Sequence, residues 1–245
     1  MLTVAQLTDI HVGVAGNAER AERALAGVRS LGADLVLVTG DIAEHGTAGE
    51  YALAADLLSD LDAWLVPGNH DDRDAMTAAF GPVSDRVHRA GGATVVLLDS
   101  LVDGELSGSL SAAGLDLLAD AVRDPAPLLV ALHHPPVPVG HPFMDGIRLT
   151  DPEPFEALLA SRADPTLVVC GHVHRPMATT FAGHPLVVAP SVAPGVRFPE
   201  EPGEEFVLPG SVPGGVVHVL GDGPPRSRFV TWPGRIPPGS AGPLG

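Results

Sequence analysis

The stretch LVLVTGD, Leu35–Asp41, carries a pattern that the chain repeats. Leu35–Val38 is continuously apolar, and it ends in Thr39-Gly40-Asp41. A short apolar run without alternation, closed by turn residues, reads as a strand covered on both faces. The same pattern recurs along the chain. Leu2–Leu7 ends in Thr8-Asp9-Ile10-His11, Trp64–Val66 in Pro67-Gly68-Asn69-His70-Asp71, and Thr94–Leu98 in Asp99-Ser100. Leu128–Leu132 ends in His133-His134-Pro135-Pro136, and Leu167–Cys170 in Gly171-His172-Val173-His174. Between these runs, Ala18–Leu31, Ala48–Leu61, Ala75–Phe80, Ala112–Val122 and Glu153–Ser161 carry helical patterns, the last started by Asp151 and Pro152. Alternating strands and helices give an α/β fold class.

The pattern changes after residue 176. Ala178–Ala182, Leu186–Ala189, Gly215–Leu220 and Arg226–Trp232 read as strands joined by Gly/Pro turns. They predict an all-β closing portion packed as a second sheet. Residues 135–150 and 190–214 are Pro/Gly-rich and read as long loops, which in compact domains usually serve function or are disordered. The expected organisation is a single domain over 1–236 and a disordered tail over 237–245.

Composition narrows the function classes. With 245 residues, 45% of them hydrophobic, the chain supports one substantial core. Cys170 is its single cysteine, so no intrachain disulfide forms and a reducing compartment fits. The N-terminal MLTVAQLTDIH lacks a basic leader, and no stretch approaches the ~20 apolar residues of a membrane span. The expectation is a cytoplasmic protein without membrane contact; a homodimer is compatible with the sequence. The formal net charge is −16, and all 14 basic residues are arginine. That balance argues against a nucleic-acid polymer as partner. It also means that an anionic substrate needs a local source of positive charge, which metal ions supply.

Five polar clusters sit just after apolar strands: Asp9-x-His11, Gly40-Asp41, Gly68-Asn69-His70-Asp71, His133-His134 and Gly171-His172-Val173-His174. Sites in α/β sheets gather at the carboxyl ends of strands. Carboxylate, imidazole and amide oxygen together suit metals of intermediate hardness. Two such metals can clamp a phosphoryl group and activate water.

In order and spacing these blocks resemble the calcineurin-like metallophosphoesterases, whose pattern is D-x-H, G-D, G-N-H-[DE], H and G-H-x-H. The resemblance runs from Asp9 to His174. It implies a four-layer αββα sandwich with two mixed β-sheets flanked by helices. It implies two divalent or trivalent ions, drawn from Fe, Mn, Zn and Co. One would be held by Asp9, His11, Asp41 and His174. The other would be held by Asp41, Asn69, His133 and His172, with Asp41 bridging. His70 would stand near the phosphate or leaving group, and Asn69 and His70 would meet the substrate; His45, four residues beyond Asp41, is a further candidate for substrate contact by its position. The purple acid phosphatase group carries a tyrosine ligand shortly after the bridging Asp; here the only tyrosine is Tyr51. The stretches GDIAEHGTAGEY, VPGNHDDR, LLDS, LHHPPVPVG and CGHVHRP look like the class III cyclic-nucleotide phosphodiesterases and the related bacterial glycerophosphodiesterases. The implied activity is hydrolysis of small phosphodiesters by a metal-activated hydroxide, cyclic nucleotides such as cAMP first and glycerophosphodiesters next. The alternatives are a phosphomonoesterase or broad-specificity phosphatase, and a non-catalytic binding module on the same fold.

Other polar residues have plainer readings. Asp71 reads as the cap of the helix that follows it. His88, His141, His184 and His218 read as surface or turn residues. Arg175 reads as a salt-bridge partner, and Cys170 as a buried thiol beneath the site. His134 divides between orienting a ligand and simple packing.

Overall fold

Leu35–Val38 alternates its side chains between two cores. Leu35 and Leu37 face a second sheet, while Val36 and Val38 face helices. This is why the strand is apolar at every position rather than at every second one. A computed structural model describes residues 1–221 and 223–233; the expected tail over 237–245 lies outside them.

The first half runs β1 (Leu2–Leu7), α1 (Asn17–Leu31), β2 (Leu35–Thr39), α2 (Ala48–Leu58), β3 (Ala63–Val66) and α3 (Arg73–Phe80). The chain continues through β4 (Arg86–Ala90), β5 (Ala93–Leu97), α4 (Ala112–Ala121), β6 (Leu128–Ala131), α5 (Pro142–Gly146), α6 (Glu153–Ala160) and β7 (Thr166–Cys170). It closes with β8 (Met177–Phe181), β9 (His184–Val188), β10 (Gly195–Val196), β11 (Val207–Leu208), β12 (Gly214–Gly221) and β13 (Gly223–Thr231).

One sheet has the order β13-β12-β1-β2-β3 and the other β4-β5-β6-β7-β9-β8. Both are mixed: β1-β2-β3 and β5-β6-β7-β9 are parallel, and their flanking strands antiparallel. Three apolar cores separate four layers. Ala21, Leu25, Tyr51 and Met76 cover the outer face of the first sheet. Leu118, Phe155 and Leu159 cover that of the second. Leu2, Val4, Leu35 and Leu37 meet Val95, Leu129 and Val169 between the sheets. This is the αββα sandwich. No helix among the described residues is long and apolar enough to cross a membrane.

The C-terminal strands depart from the expectation. They do not form a sheet of their own but extend both sheets, β8 and β9 beside β7, and β12 and β13 beside β1. Separate packing would leave the buried strands β1 and β7 with unpaired backbone edges. β12 instead covers β1 with a strand whose Val216, Val217 and Leu220 are buried. The expected loop over 190–214 contains the short ribbon β10–β11.

His218 is another correction. It is fully buried, bonded through Nε2 to Gln6 Oε1 at 2.9 Å and through Nδ1 to Ser227 Oγ at 2.8 Å. Burial pushes its pKa down to about 3, so it is a neutral core histidine. Gln6 in turn donates to the Cys170 carbonyl at 2.9 Å, tying the two sheets together.

Asp71 is the third correction. Asp72 caps α3, accepting from Ala75 N at 2.8 Å. Asp71 is buried and accepts from Gly68 N at 2.9 Å, Ala43 N at 3.0 Å, Ile42 N at 3.1 Å and Tyr51 Oη at 3.0 Å. It pins the loop after β2 to the loop after β3. Tyr51 is thereby a buried structural partner of Asp71.

Candidate metal centre

The carboxyl ends of β1, β2, β3, β6 and β7 converge on one edge of the sandwich, and each hands its terminal polar residues to that edge. The chain turns there through left-handed backbone. Asp9 (φ 51°), His11 (φ 50°), Asp41 (φ 51°), His172 (φ 72°) and His174 (φ 57°) all have positive φ. Such conformations are costly for residues with a Cβ, and they cluster where function overrides local preference. They also break the strand alternation, so both members of Asp9-x-His11 and of His172-x-His174 reach one place. Gly40 and Gly68 make the room. A Cβ on Gly40 would stand 2.4 Å from His133 Nδ1, and one on Gly68 would stand 2.2 Å from Asp41 Oδ1.

Two donor groups result. In one, donor atoms of Asp9, His11, Asp41 and His174 all lie within 4.8 Å of one another. His174 Nε2 stands 3.3 Å from Asp9 Oδ1, and His11 Nε2 3.5 Å from Asp41 Oδ2. In the other, His133 Nε2 lies 3.3 Å from Asp41 Oδ2, 3.3 Å from Asn69 Oδ1 and 3.2 Å from His172 Nδ1. Asp41 Oδ2 thus sits between an imidazole of each group.

The tautomers follow from the outer bonds. His11 Nδ1 donates to Glu44 Oε2 at 2.7 Å, His174 Nδ1 to the Pro194 carbonyl at 2.9 Å, and His133 Nδ1 to the Thr39 carbonyl at 2.7 Å. Each Nε2 is then a bare lone pair in the neutral ring. Yet His11 Nε2 and His174 Nε2 face each other at 3.2 Å. Lone pairs opposed at that distance repel unless a proton or a metal cation lies between them. His172 is buried, and its Nε2 finds no hydrogen-bond partner among the described residues. The donor set therefore fits cations of the kind that take imidazole and carboxylate.

Electrostatics agree. Burial opposes ionisation of Asp41, but His133 and His11 overcome it and hold the carboxyl well below its usual range. Asp9 is likewise lowered against its burial by His174. Burial opposes the charged form of His133, yet the Asp41 carboxylate pushes its pKa up to about 9. Burial and the neighbouring His133 push His172 down to about 3. The floor is a set of ionised carboxylates competing for positive charge.

His70 donates its backbone N–H to Asp41 Oδ1 at 2.9 Å and its Nδ1–H to the Glu44 carbonyl at 3.0 Å. Its ring packs edge-on against His11 with centroids 4.7 Å apart. The structure brings Asp9, His11, Asp41, Asn69, His70, His133, His172 and His174 together. It does not bring His45 to the cavity: that side chain is exposed and bonded through Nδ1 to Glu50 Oε1 at 3.0 Å. His134 is buried beside His133 and His172, with Nδ1 bonded to Ser100 Oγ at 2.8 Å and Nε2 to the Leu106 carbonyl at 3.2 Å. With both nitrogens engaged, its ring packs against those of His133 and His172. Arg175 pairs with Glu201.

Above the donors opens a cavity of about 380 Å³. Its floor includes Asp41, Asn69, His70, His172 and His174, and Leu106, Phe143 and Phe206 add apolar lining. Both Pro/Gly-rich segments contribute to the wall. Glu44 lines it too, a residue that sequence reading passed over; its place three residues after Asp41 in the same loop was the available signal. The His11 bond lowers the pKa of Glu44, so its carboxylate is ionised where it grips that ring.

A family model described as calcineurin-like phosphoesterase matches residues 2–176. The chain is 34% identical over 189 residues to a 3′,5′-cyclic adenosine monophosphate phosphodiesterase of Pseudomonas aeruginosa, covering 74% of this chain and 68% of that protein. It is also 34% identical over 193 residues to a 3′,5′-cyclic-nucleotide phosphodiesterase of Nostoc, covering 71% of this chain and 72% of that one. Among solved structures, a dimetal phosphatase from Danio rerio superposes with a TM-score of 0.69 at 15% identity, covering 95% of this chain and 99% of that one. At this identity the likeness speaks for the fold alone.

Proposed function

The chain belongs to the calcineurin-like phosphoesterase family, and on that premise we propose that it is a metal-dependent phosphodiesterase for small diesters, with cyclic nucleotides first and glycerophosphodiesters next. The observation that carries the reading is the position of Asp41 Oδ2, between His11 Nε2 at 3.5 Å and His133 Nε2 at 3.3 Å. One ion would be held by Asp9, His11, Asp41 and His174. The second would be held by Asp41, Asn69, His133 and His172, with Asp41 shared. Fe, Mn, Zn and Co all accept this donor set. Bound cations of this kind supply charge for the phosphoryl oxygens and acidify water enough for attack at neutral pH.

The chain's own residues divide the remaining tasks. Glu44, Pro194 and Thr39 fix the imidazoles so that Nε2 of His11, His174 and His133 faces inward. Such outer partners typically contribute 10–100-fold to metal affinity. The Asn69 side chain and the His70 ring border the space where a phosphate would lie. His70 has Nδ1 committed to the Glu44 carbonyl, so Nε2 is the atom able to share a proton with the departing oxygen. None of the described lining residues is an arginine, and the chain has no lysine. Neutralisation of a bound phosphate therefore falls to cations on the floor and to His70. The test is to strip the protein of metal, reload it with each candidate ion, and compare 3′,5′-cyclic AMP, a glycerophosphodiester and a phosphomonoester. Faster turnover of diesters is expected. A consistent preference for the monoester would make the protein a phosphomonoesterase instead.

A further inference from the structure

Ten large hydrophobic side chains are exposed on the described surface, and five of them (Val14, Leu106, Phe143, Phe206 and Val207) line one cavity. Single exposed apolar residues are ordinary, whereas a cluster beside a polar floor marks a binding surface. Phe143 is 50% exposed and Phe206 45%. Their rings meet edge to face, centroids 5.6 Å apart and planes at 89°. The pair makes a corner, one ring offering its face and the other its edge.

The corner is held from behind. Phe143 lies in α5, whose start is capped by His141 Nδ1 accepting from Met144 N at 3.3 Å. The His141 ring also abuts Phe206 at 5.6 Å and Phe198 at 5.4 Å. Phe206 precedes β11, and its carbonyl accepts from Arg197 N at 2.8 Å. The Arg197 guanidinium donates to the Glu205 carbonyl at 2.6 Å and to that of Pro202, gathering the loop that carries Phe206. Exposed aromatic rings on tethered backbone can receive a ligand with little ordering cost. The same cavity is lined by Asp41, Asn69, His70, His172 and His174.

A charged group against the aromatic side would find no cationic lining residue among those described. A flat uncharged group would find two rings. We infer that Phe143 and Phe206 form the subsite for the nucleobase of the substrate, with the phosphate on the histidine floor. The inference rests on the phosphodiesterase reading for the identity of that floor. It adds that base stacking, rather than recognition of the sugar or of a second charge, sets the preference for nucleotides.

The probes are adenosine 5′-monophosphate and ribose 5-phosphate, which carry the same phosphate and differ by the base. Calorimetric titration of metal-loaded protein should show the adenine compound binding about tenfold tighter, the scale of one base stacked on an aromatic ring. Phe206→Ala and Phe143→Ala should bring the two affinities within about twofold and leave that for ribose 5-phosphate unchanged. Phe206→Leu and Phe143→Leu keep the apolar bulk and should lose most of the preference too. Equal affinities in the unaltered protein, or a preference that survives all four substitutions, would overturn the subsite and leave the phosphodiesterase reading standing. A ring-dependent preference in a protein that hydrolyses no diester with any metal would uphold the subsite and sink that reading.

Discussion

His70→Ala separates two roles that the site allows for this ring. The backbone N–H of His70 holds Asp41 Oδ1 at 2.9 Å, and this bond survives the substitution. What is lost is a part-exposed ring packed 4.7 Å from His11 and the Nδ1 bond to the Glu44 carbonyl. His11 keeps its own bond to the Glu44 carboxylate. Metal content should therefore stay at the unaltered level. If Nε2 protonates the leaving oxygen, the loss falls on esters with poor leaving groups, by about 10²–10⁴-fold for a positioned acid. A nitrophenolate leaves without such help, so its ester should slow by less than about tenfold on the same principle. The assay is kcat/KM of the variant for 3′,5′-cyclic AMP and for bis(4-nitrophenyl) phosphate, with metal content measured on the same sample. Equal losses on both esters would show that His70 only hydrogen-bonds a phosphoryl oxygen, and the proton-transfer role would fall.

Asp41→Ala removes the carboxylate that lies between both donor groups, so turnover should be nearly abolished even in excess metal. Asn69→Ala loosens one group and should be partly rescued by added metal; comparable activity of the two variants would contradict the shared position of Asp41. Glu44→Gln weakens the grip on His11 Nδ1 and should raise the metal concentration needed for half-maximal activity by about 10–100-fold. An unchanged metal requirement would show that Glu44 does not orient His11. His218 has a folded pKa of about 3 against an ordinary 6.5. A depressed pKa gives stability that is present above 6.5 and lost as pH falls towards 3, because only the unfolded chain takes up the proton. Below pH 6.5, urea stability should fall by on the order of 1 kcal/mol per pH unit from this group, and His218→Gln should flatten that slope. Parallel pH profiles for the two proteins would refute the assignment.

The strands of the site could be read because Leu35–Thr39 and its counterparts are buried on both faces and end abruptly in ligand-type residues. What stayed hidden was decided by partners remote in sequence. Arg86–Ala90 escaped as a strand because it lies at a sheet edge with no fully buried residue, so it carries no apolar run. Asp71 and Asp72 both satisfy the rule for a helix cap, and only the approach of Gly68, Ile42 and Ala43 N–H groups assigns Asp71 elsewhere. His218 lies in a run read as a strand, where a lone polar residue is expected on the outer face, and Gln6, 212 positions away, makes it a core residue. The histidines of the floor carried their own signature in spacing, whereas Phe143 and Phe206 carried none. Their pairing exists only after α5 and the strand β11 are brought together.

A pair of cations around the Asp41 carboxylate would be located by anomalous diffraction from crystals of the fully metal-loaded protein. The expected result is two peaks per chain, both in contact with Asp41, one also touching Asp9, His11 and His174 and the other Asn69, His133 and His172. A single peak at full loading, or a second one held by residues outside this set, would contradict it.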